Sequence, residues 1–249
     1  MIPRLGSRPD APFPPVDRAL SEPDGLLAWG GDLSPRRLET AYRSGIFPWY
    51  SDDQPILWWS PGTRCVFDTA RPYVSSRLAR TLRSGRFRVT ADTAFDAVVE
   101  ACAHSRGETW ITTEMRAAYG RMHELGHAHS LEAWVNDELV GGIYGLSFGR
   151  LFFGESMFSA VSDASKVALV SLCRVLHDWD FPWLDAQVPS GHLLRMGAVN
   201  MPRAEFLERQ ASLLEATSRT GRWTADVADT LARQARLAGN QSVAGANCT

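Results

Sequence analysis

The chain has 249 residues, 45% of them hydrophobic and 22% charged, with a formal net charge of −2. That is chain enough for a sizeable core, with the composition of an ordinary globular protein rather than a fibrous or disordered one. No run approaches the roughly 20 apolar residues of a membrane helix, and no basic segment followed by an apolar run opens the chain, so a cytoplasmic, non-membrane protein is expected.

The first stretch alternates proline and glycine signals, Phe13-Pro14-Pro15, Glu22-Pro23-Asp24-Gly25 and Gly30-Gly31-Asp32, and reads as loops and short strands. Ser34-Pro35 predicts an N-cap followed by proline at the first helical position, with Gly45 as the stop. An aromatic-dense segment follows, Ile46 to Tyr50 and then Leu57-Trp58-Trp59, up to a boundary at Pro61-Gly62. Residues 71–88 hold six arginines, Arg71, Arg77, Arg80, Arg83, Arg86 and Arg88, and no acid. Arg77, Arg80 and Arg83 recur at spacing three on a predicted short helix. Such a patch can grip phosphates, or it can be a solvated helix face, since lysine occurs only once, as Lys166. Thr113 is placed as the cap of a helix ending at Gly126. Residues 131–135 and 139–146 predict a hairpin around Asn136-Asp137, and residues 151–158 a third strand. A helix over 164–177, a buried strand over 183–188 and further short helices complete an α+β order with a mainly antiparallel sheet. After Thr224 the composition drifts to alanine, arginine and small polar residues, which predicts a partly disordered tail over 225–249.

Four groups of residues bear on chemistry. His123-Glu124-Leu125-Gly126-His127 has the letters of a zinc-peptidase motif, which needs both histidines on one face of a continuing helix. Gly126 stops that helix, so the two are read as helix-end histidines beside a favourable dipole, and no metal is expected. Asp185 and Gln187 would share one face of the 183–188 strand. They are either a hydrogen-bonded structural pair or an acid–amide pair serving a reaction. Glu155 sits inside an aromatic strand, either solvent-facing or turned into a cleft, with Gly154 as a candidate bulge. Leu169, Leu172 and Leu176 form a helical stripe that reads as core first and ligand pocket second. Cys65, Cys102, Cys173 and Cys248 show neither CxxC nor metal-finger spacing, which suits a reducing compartment.

These segments in order resemble the leucyl/phenylalanyl-tRNA–protein transferase family. The matching pieces are LLAWGGDLSPRRLETAYRSGIFPWYS, PILWWSP, TWIT, HELGHAHSLEAW, ELVGGIYG, FFGESMFS, DASK, LDAQV, HLLRMGA and PRAEF. The resemblance implies a small N-terminal domain over 1–62 and an acetyltransferase-like (GNAT-like) domain over 63–224. It implies transfer of leucine or phenylalanine, or methionine, from charged tRNA to proteins with N-terminal arginine or lysine, marking them for degradation under the N-end rule. The expected partners are Leu-tRNA, Phe-tRNA and those acceptor proteins, with the enzyme a monomer and no cofactor. Trp49 and Trp110, with Tyr42 nearby, would hold the terminal adenosine, and Arg77, Arg80 and Arg83 would lie along the acceptor stem. Ile143, Phe152, Met157, Leu169, Leu172, Leu176 and Leu184 would form the amino-acid pocket. Asp185 and Gln187 would serve the reacting amine, and Glu155 the basic side chain of the acceptor.

Three other functions fit single motifs. An acetyl-CoA-dependent N-acetyltransferase would need a glycine-rich loop for pyrophosphate, yet residues 159–166 contain no glycine and include Asp163. A non-catalytic RNA-binding module would use the arginines and tryptophans and leave Asp185 idle. A zinc peptidase would need the helix to continue past Gly126.

Overall fold

The computed structural model describes residues 2–6, 8–105 and 110–246, with side chains followed to residue 237. Cys248 lies outside them. The chain begins with β1 (Arg4–Leu5), β2 (Leu26–Gly30), α1 (Pro35–Arg43), β3 (Phe47–Pro48) and β4 (Leu57–Trp59). The four strands form one sheet in the order β1-β2-β4-β3. Ser34 caps α1 by accepting the Arg37 amide, with proline at the first turn, as its sequence predicts. Gly45 then turns the chain at φ +72°. A Cβ there would lie 2.3 Å from Leu207 Cδ2, so this left-handed corner against the C-terminal half requires glycine.

The remainder contains β5 (Thr63–Asp68), α2 (Ser76–Arg83), β6 (Arg88–Ala91), α3 (Phe95–His104), α4 (Thr113–Glu124), β7 (Ala128–Val135), β8 (Glu138–Phe148) and β9 (Leu151–Ser159). It continues with α5 (Ala164–Asp178), β10 (Trp183–Asp185), α6 (Gly191–Arg195), β11 (Val199–Pro202), α7 (Arg203–Leu214) and α8 (Thr224–Ala246). Seven strands form a second sheet in the order β11-β5-β10-β9-β8-β7-β6. Every neighbouring pair is antiparallel except β10 with β9. This is the expected α+β class with a mainly antiparallel sheet. Asn136 and Asp137 both adopt positive φ, 50° and 64°, which is what the tight β7–β8 hairpin demands.

One buried apolar cluster joins the first sheet and α1 to α3, α4 and one face of the large sheet, through Leu38, Trp58, Tyr119 and Phe153 among others. A second lies under the opposite face, where α5 packs with Leu169, Leu172 and Leu176. Among the described residues, no helix is long and apolar enough to cross a membrane.

Two sequence expectations need correcting. The cap of α4 is Thr112, whose Oγ1 accepts the Met115 amide at 3.1 Å; Thr113 is the first helical residue. The segment after Thr224, expected as a partly disordered tail, starts as a helix, because α8 begins there and buries Val227 and Thr230. It is held by Trp223, whose amide donates to Asp92 at 2.8 Å and whose ring stacks on His129 at 3.7 Å. Alanine-rich composition suits helix as well as disorder, and tertiary contact with α5 and β6 decides for helix here.

Candidate active site

The seven-stranded sheet shifts register between β7 and β8 at Ala133/Trp134, and again between β8 and β9. Tyr144 of β8 pairs with Ser156 of β9, while Gly145 pairs with Gly154, so Glu155 is an extra residue with no partner opposite. A bulge of this kind re-aims the side chain it carries. The sequence pointed to Gly154; the bulged residue is Glu155 itself. Gly145 makes the close approach possible, since a Cβ there would sit 2.0 Å from the Phe153 carbonyl oxygen.

Three donors converge on the Glu155 carboxyl. Tyr42 Oη donates to Oε1 at 2.7 Å, Gln187 Nε2 to Oε1 at 2.8 Å, and Tyr119 Oη to Oε2 at 2.6 Å. Burial pushes the carboxyl up to about 7, the three hydrogen bonds restrain that rise, and the nearby charge of Asp185 adds to it. Burial, reinforced by the Glu155 charge, holds Tyr42 and Tyr119 well above the usual phenol value, so both stay protonated donors at neutral pH.

Beside the bulge, β10 stops. It pairs with β9 only as far as Asp185 opposite Phe153, and Gln187 lies in the left-handed region at φ +62°. The strand expected over 183–188 therefore ends at Asp185, and the two side chains do not share a strand face by alternation. Their link is different. Asp185, fully buried, accepts the Gln187 amide on Oδ1 at 2.9 Å. Its oxygens also receive Arg64, Nη2 at 2.6 Å and Nε at 3.2 Å. Arg64 is 1% exposed, and its Nη1 donates to the Gly45 carbonyl at 2.9 Å. The guanidinium carbon lies 5.0 Å from the Phe47 ring centre and 4.7 Å from that of Phe206. Asp185 is thus sealed beneath the site, and its bond to the Gln187 amide fixes the turn that aims Gln187 at Glu155.

Where the ladder ends, a cleft opens with two compartments. One of about 240 Å³ is lined by Phe67, Ile143, Met157, Leu169, Leu184 and Trp110. The other, about 260 Å³, is lined by Phe47, Pro48, Trp49, Trp110, Gln187 and Val188. Both include Glu155, Ala186, Ser190 and Leu193 in their walls, and Glu155 is the one carboxylate among the described residues lining either. An apolar chamber, an aromatic chamber and an ionisable carboxyl at their junction suit a ligand with an apolar side chain and a flat ring, reacting between them.

The chain matches two sequence models, one described as leucyl/phenylalanyl-tRNA protein transferase over residues 66–211 and one as the N-terminal domain of that transferase over residues 31–62. A leucyl/phenylalanyl-tRNA–protein transferase of Aromatoleum aromaticum is 55% identical over 94% of this chain and 99% of its own length. The chain belongs to the leucyl/phenylalanyl-tRNA–protein transferase family. A second member, from an Azoarcus species, is 58% identical over 83% of this chain and 88% of its own, and one from Xanthomonas euvesicatoria is 54% identical over 89% and 90%.

Within this transferase the candidate residues divide into those that meet the cleft and those that support it. Ile143, Met157, Leu169 and Leu184 line the apolar chamber, whereas Phe152, Leu172 and Leu176 are buried in the core behind it. Trp49, 42% exposed, and Trp110 face the aromatic chamber. Tyr42 is fully buried and reaches Glu155 from below, so it is not placed to stack on a base. Arg77, Arg80 and Arg83 are all exposed on α2. His123 donates from Nδ1 to the Ala128 carbonyl at 2.7 Å and stacks on Phe95, while His127 lies past the end of α4. The sequence reading missed Arg64 and Tyr119. Arg64 had a weak signal, an arginine directly before the apolar run Cys65-Val66-Phe67, where burial would call for an acidic partner. Tyr119 had none, being one apolar-face residue of an ordinary amphipathic helix.

Proposed function

We propose that this transferase moves leucine or phenylalanine from charged tRNA to the α-amine of proteins beginning with arginine or lysine, in the cytoplasm where charged tRNA is made, and so marks them for degradation. The observation that carries the reading is the Glu155 carboxyl at the junction of an apolar and an aromatic chamber. The carried side chain enters the first, and the terminal adenosine stacks between Trp49 and Trp110 in the second. The amine nitrogen attacks the ester carbonyl carbon, a C–N bond forms, and the bond to the ribose oxygen breaks. The ester is already activated, so what remains is alignment and proton transfer. Glu155 accepts the amine proton and returns one to the departing ribose oxygen, and its charge draws in a cationic acceptor. Gln187 orients Glu155 and the amine. Asp185 and Arg64 are positioning residues.

The seven-stranded sheet supports reading residues 63–224 as an acetyltransferase-like domain, and the four-stranded sheet supports 1–62 as the small one; their shared core implies that neither works apart. The test of the function is transfer of radiolabelled leucine from Leu-tRNA to a protein beginning with arginine. Absence of transfer to any such acceptor removes the proposal.

Leu169→Trp fills the apolar chamber, so transfer of phenylalanine is expected to fall at least tenfold more than transfer of leucine. A bulky insertion costs about 1–3 kcal/mol where it cannot be accommodated, and the loss should grow with donor size. Equal losses for both donors together with a lowered melting temperature would make Leu169 core only. Reversal of Arg77, Arg80 and Arg83 to glutamate is expected to raise the KM for charged tRNA by at least tenfold and to flatten the salt dependence of binding, because fewer counterions are released. An unchanged KM and salt slope would remove α2 from the tRNA path.

A further inference from the structure

Asp163-Ala164-Ser165-Lys166 plays no part in the site described so far, and of the segment His192 to Ala198 only His192 and Leu193 reach its walls. The two segments come together. Lys166 near the start of α5, and His192 and Arg195 of α6, line a cavity of about 320 Å³ with Tyr73, Ser75 and Leu78. No carboxylate lines it among the described residues. The nearest acid on those elements, Asp163, is already neutralised: Lys166 Nζ lies 3.1 Å from one oxygen and Arg77 Nε 3.5 Å from the other. Among the described residues Arg195 makes no ion pair, and it is exposed at the rim. The chain has a single lysine against 25 arginines, and that lysine stands here, partly exposed in a wall of the cavity.

The position of this cavity matters as much as its charge. His192 lines both it and the apolar chamber that holds Glu155. On its other side Ser75 caps α2, and Leu78 lies within α2, whose exposed face carries Arg77, Arg80 and Arg83. The cationic cavity therefore lies between the reacting centre and the arginine helix. It is also rigidly mounted. Gly197, at φ +97°, packs so tightly that a Cβ would meet the Tyr73 amide nitrogen at 2.7 Å, and that amide donates to the Met196 carbonyl at 3.1 Å.

Resting on the reading of the protein as an aminoacyl-tRNA user, we propose that Lys166 and Arg195, with His192, form a phosphodiester subsite that holds the backbone of the last nucleotides of the tRNA 3′ end. A single-stranded end crossing from the cleft to α2 carries one phosphate per nucleotide. Charge-assisted donors beside the reacting centre fix its register without reading sequence. Lys166 supplies a compact point charge and Arg195 a planar fork, so the pair can hold one phosphate from two sides. In this position the subsite sets where the ester lies relative to Glu155.

The test uses binding of uncharged ligands, the trinucleotide CpCpA and free adenosine, to the full chain, with the single variants Lys166→Gln and Arg195→Gln and the double variant. The unmodified protein is expected to bind the trinucleotide at least tenfold more tightly than adenosine. The double variant should lose about five- to tenfold of that preference, and its salt slope should fall by about 0.7 for each phosphate it no longer neutralises. Adenosine affinity should be unchanged in every variant. Millimolar inorganic phosphate should compete with the trinucleotide in the unmodified protein and much less in the double variant. Because Lys166→Gln also frees Asp163, Arg195→Gln must by itself reduce the preference. If all variants keep the full preference, or the unmodified protein shows none, the subsite does not exist. Leucine transfer on the same preparations separates the two readings: no transfer with phosphate-dependent binding intact would remove the transferase proposal and leave this subsite standing.

Discussion

Glu155→Gln is expected to lower kcat for leucine transfer by about 10²–10⁴-fold, the usual contribution of a positioned proton acceptor. The shape is preserved, and the neighbouring donors Tyr42, Tyr119 and Gln187 remain. What disappears is the ionisation. The Glu155 carboxyl sits at about 7, so the reactive carboxylate forms as pH rises through that value. Wild-type kcat/KM should therefore climb through two ionisations, one near 7 and one near the roughly 7.7–8.0 of a free α-amine, whereas the variant should retain only the second. The stability effect has the opposite sense. A carboxyl whose folded value is raised from 4.5 to about 7 binds its proton more tightly in the native state. Stability then decreases as pH rises through that window and levels off above it, and Glu155→Gln should remove that slope. If Glu155 serves only to recognise the acceptor side chain, the variant would keep its kcat and its pH profile. It would lose only the preference for arginine and lysine over neutral N-termini, through KM.

Asp185→Asn should be the most destabilising conservative change in the site, by about 3–5 kcal/mol against a total of about 5–15. Arg64 would stay charged, 1% exposed, with an amide in place of the carboxylate that neutralises it. Removing the second charge as well, in Arg64→Met with Asp185→Asn, should recover most of that loss, since a buried pair replaced by neutral groups often costs little. Activity then separates the two roles open to Asp185. The carbonyl of the substituted asparagine can still accept the Gln187 amide, so a positioning role predicts that the double variant regains transfer along with its melting temperature. A double variant that melts normally yet fails to transfer would show that the Asp185 charge acts in the chemical step.

The hairpin at Asn136-Asp137 and the Ser34-Pro35 helix start were legible because each depends on a few consecutive residues. So was the α5 stripe, with its three leucines in register. Asp185 and Gln187 were legible as an acid–amide pair, but the shared strand face expected of them was wrong as geometry. Alternation presumes that the strand continues, and whether β10 continues depends on β9 beside it, not on its own side chains. The same limit applied to the pocket. Spacing put Leu172 and Leu176 on one face with Leu169, but only the crossing of α5 over the sheet decides which of them reaches the cleft.

The sequence by itself determined the α+β class, the starts of α1 and α5, the Asn136-Asp137 hairpin and, through an ordered set of motifs, the family. Those are properties of local periodicity, capping and short strings. The tertiary structure alone decided that Glu155 is the bulged residue, that two tyrosines from α1 and α4 hold its carboxyl, and that Asp185 is sealed by Arg64. The bulge is a mismatch of register between two strands, and the ion pair joins residues 121 positions apart. Each arises from how separate segments meet, where burial sets the charge state of a carboxyl and distance sets its partners, and neither quantity is written in any stretch of chain taken alone.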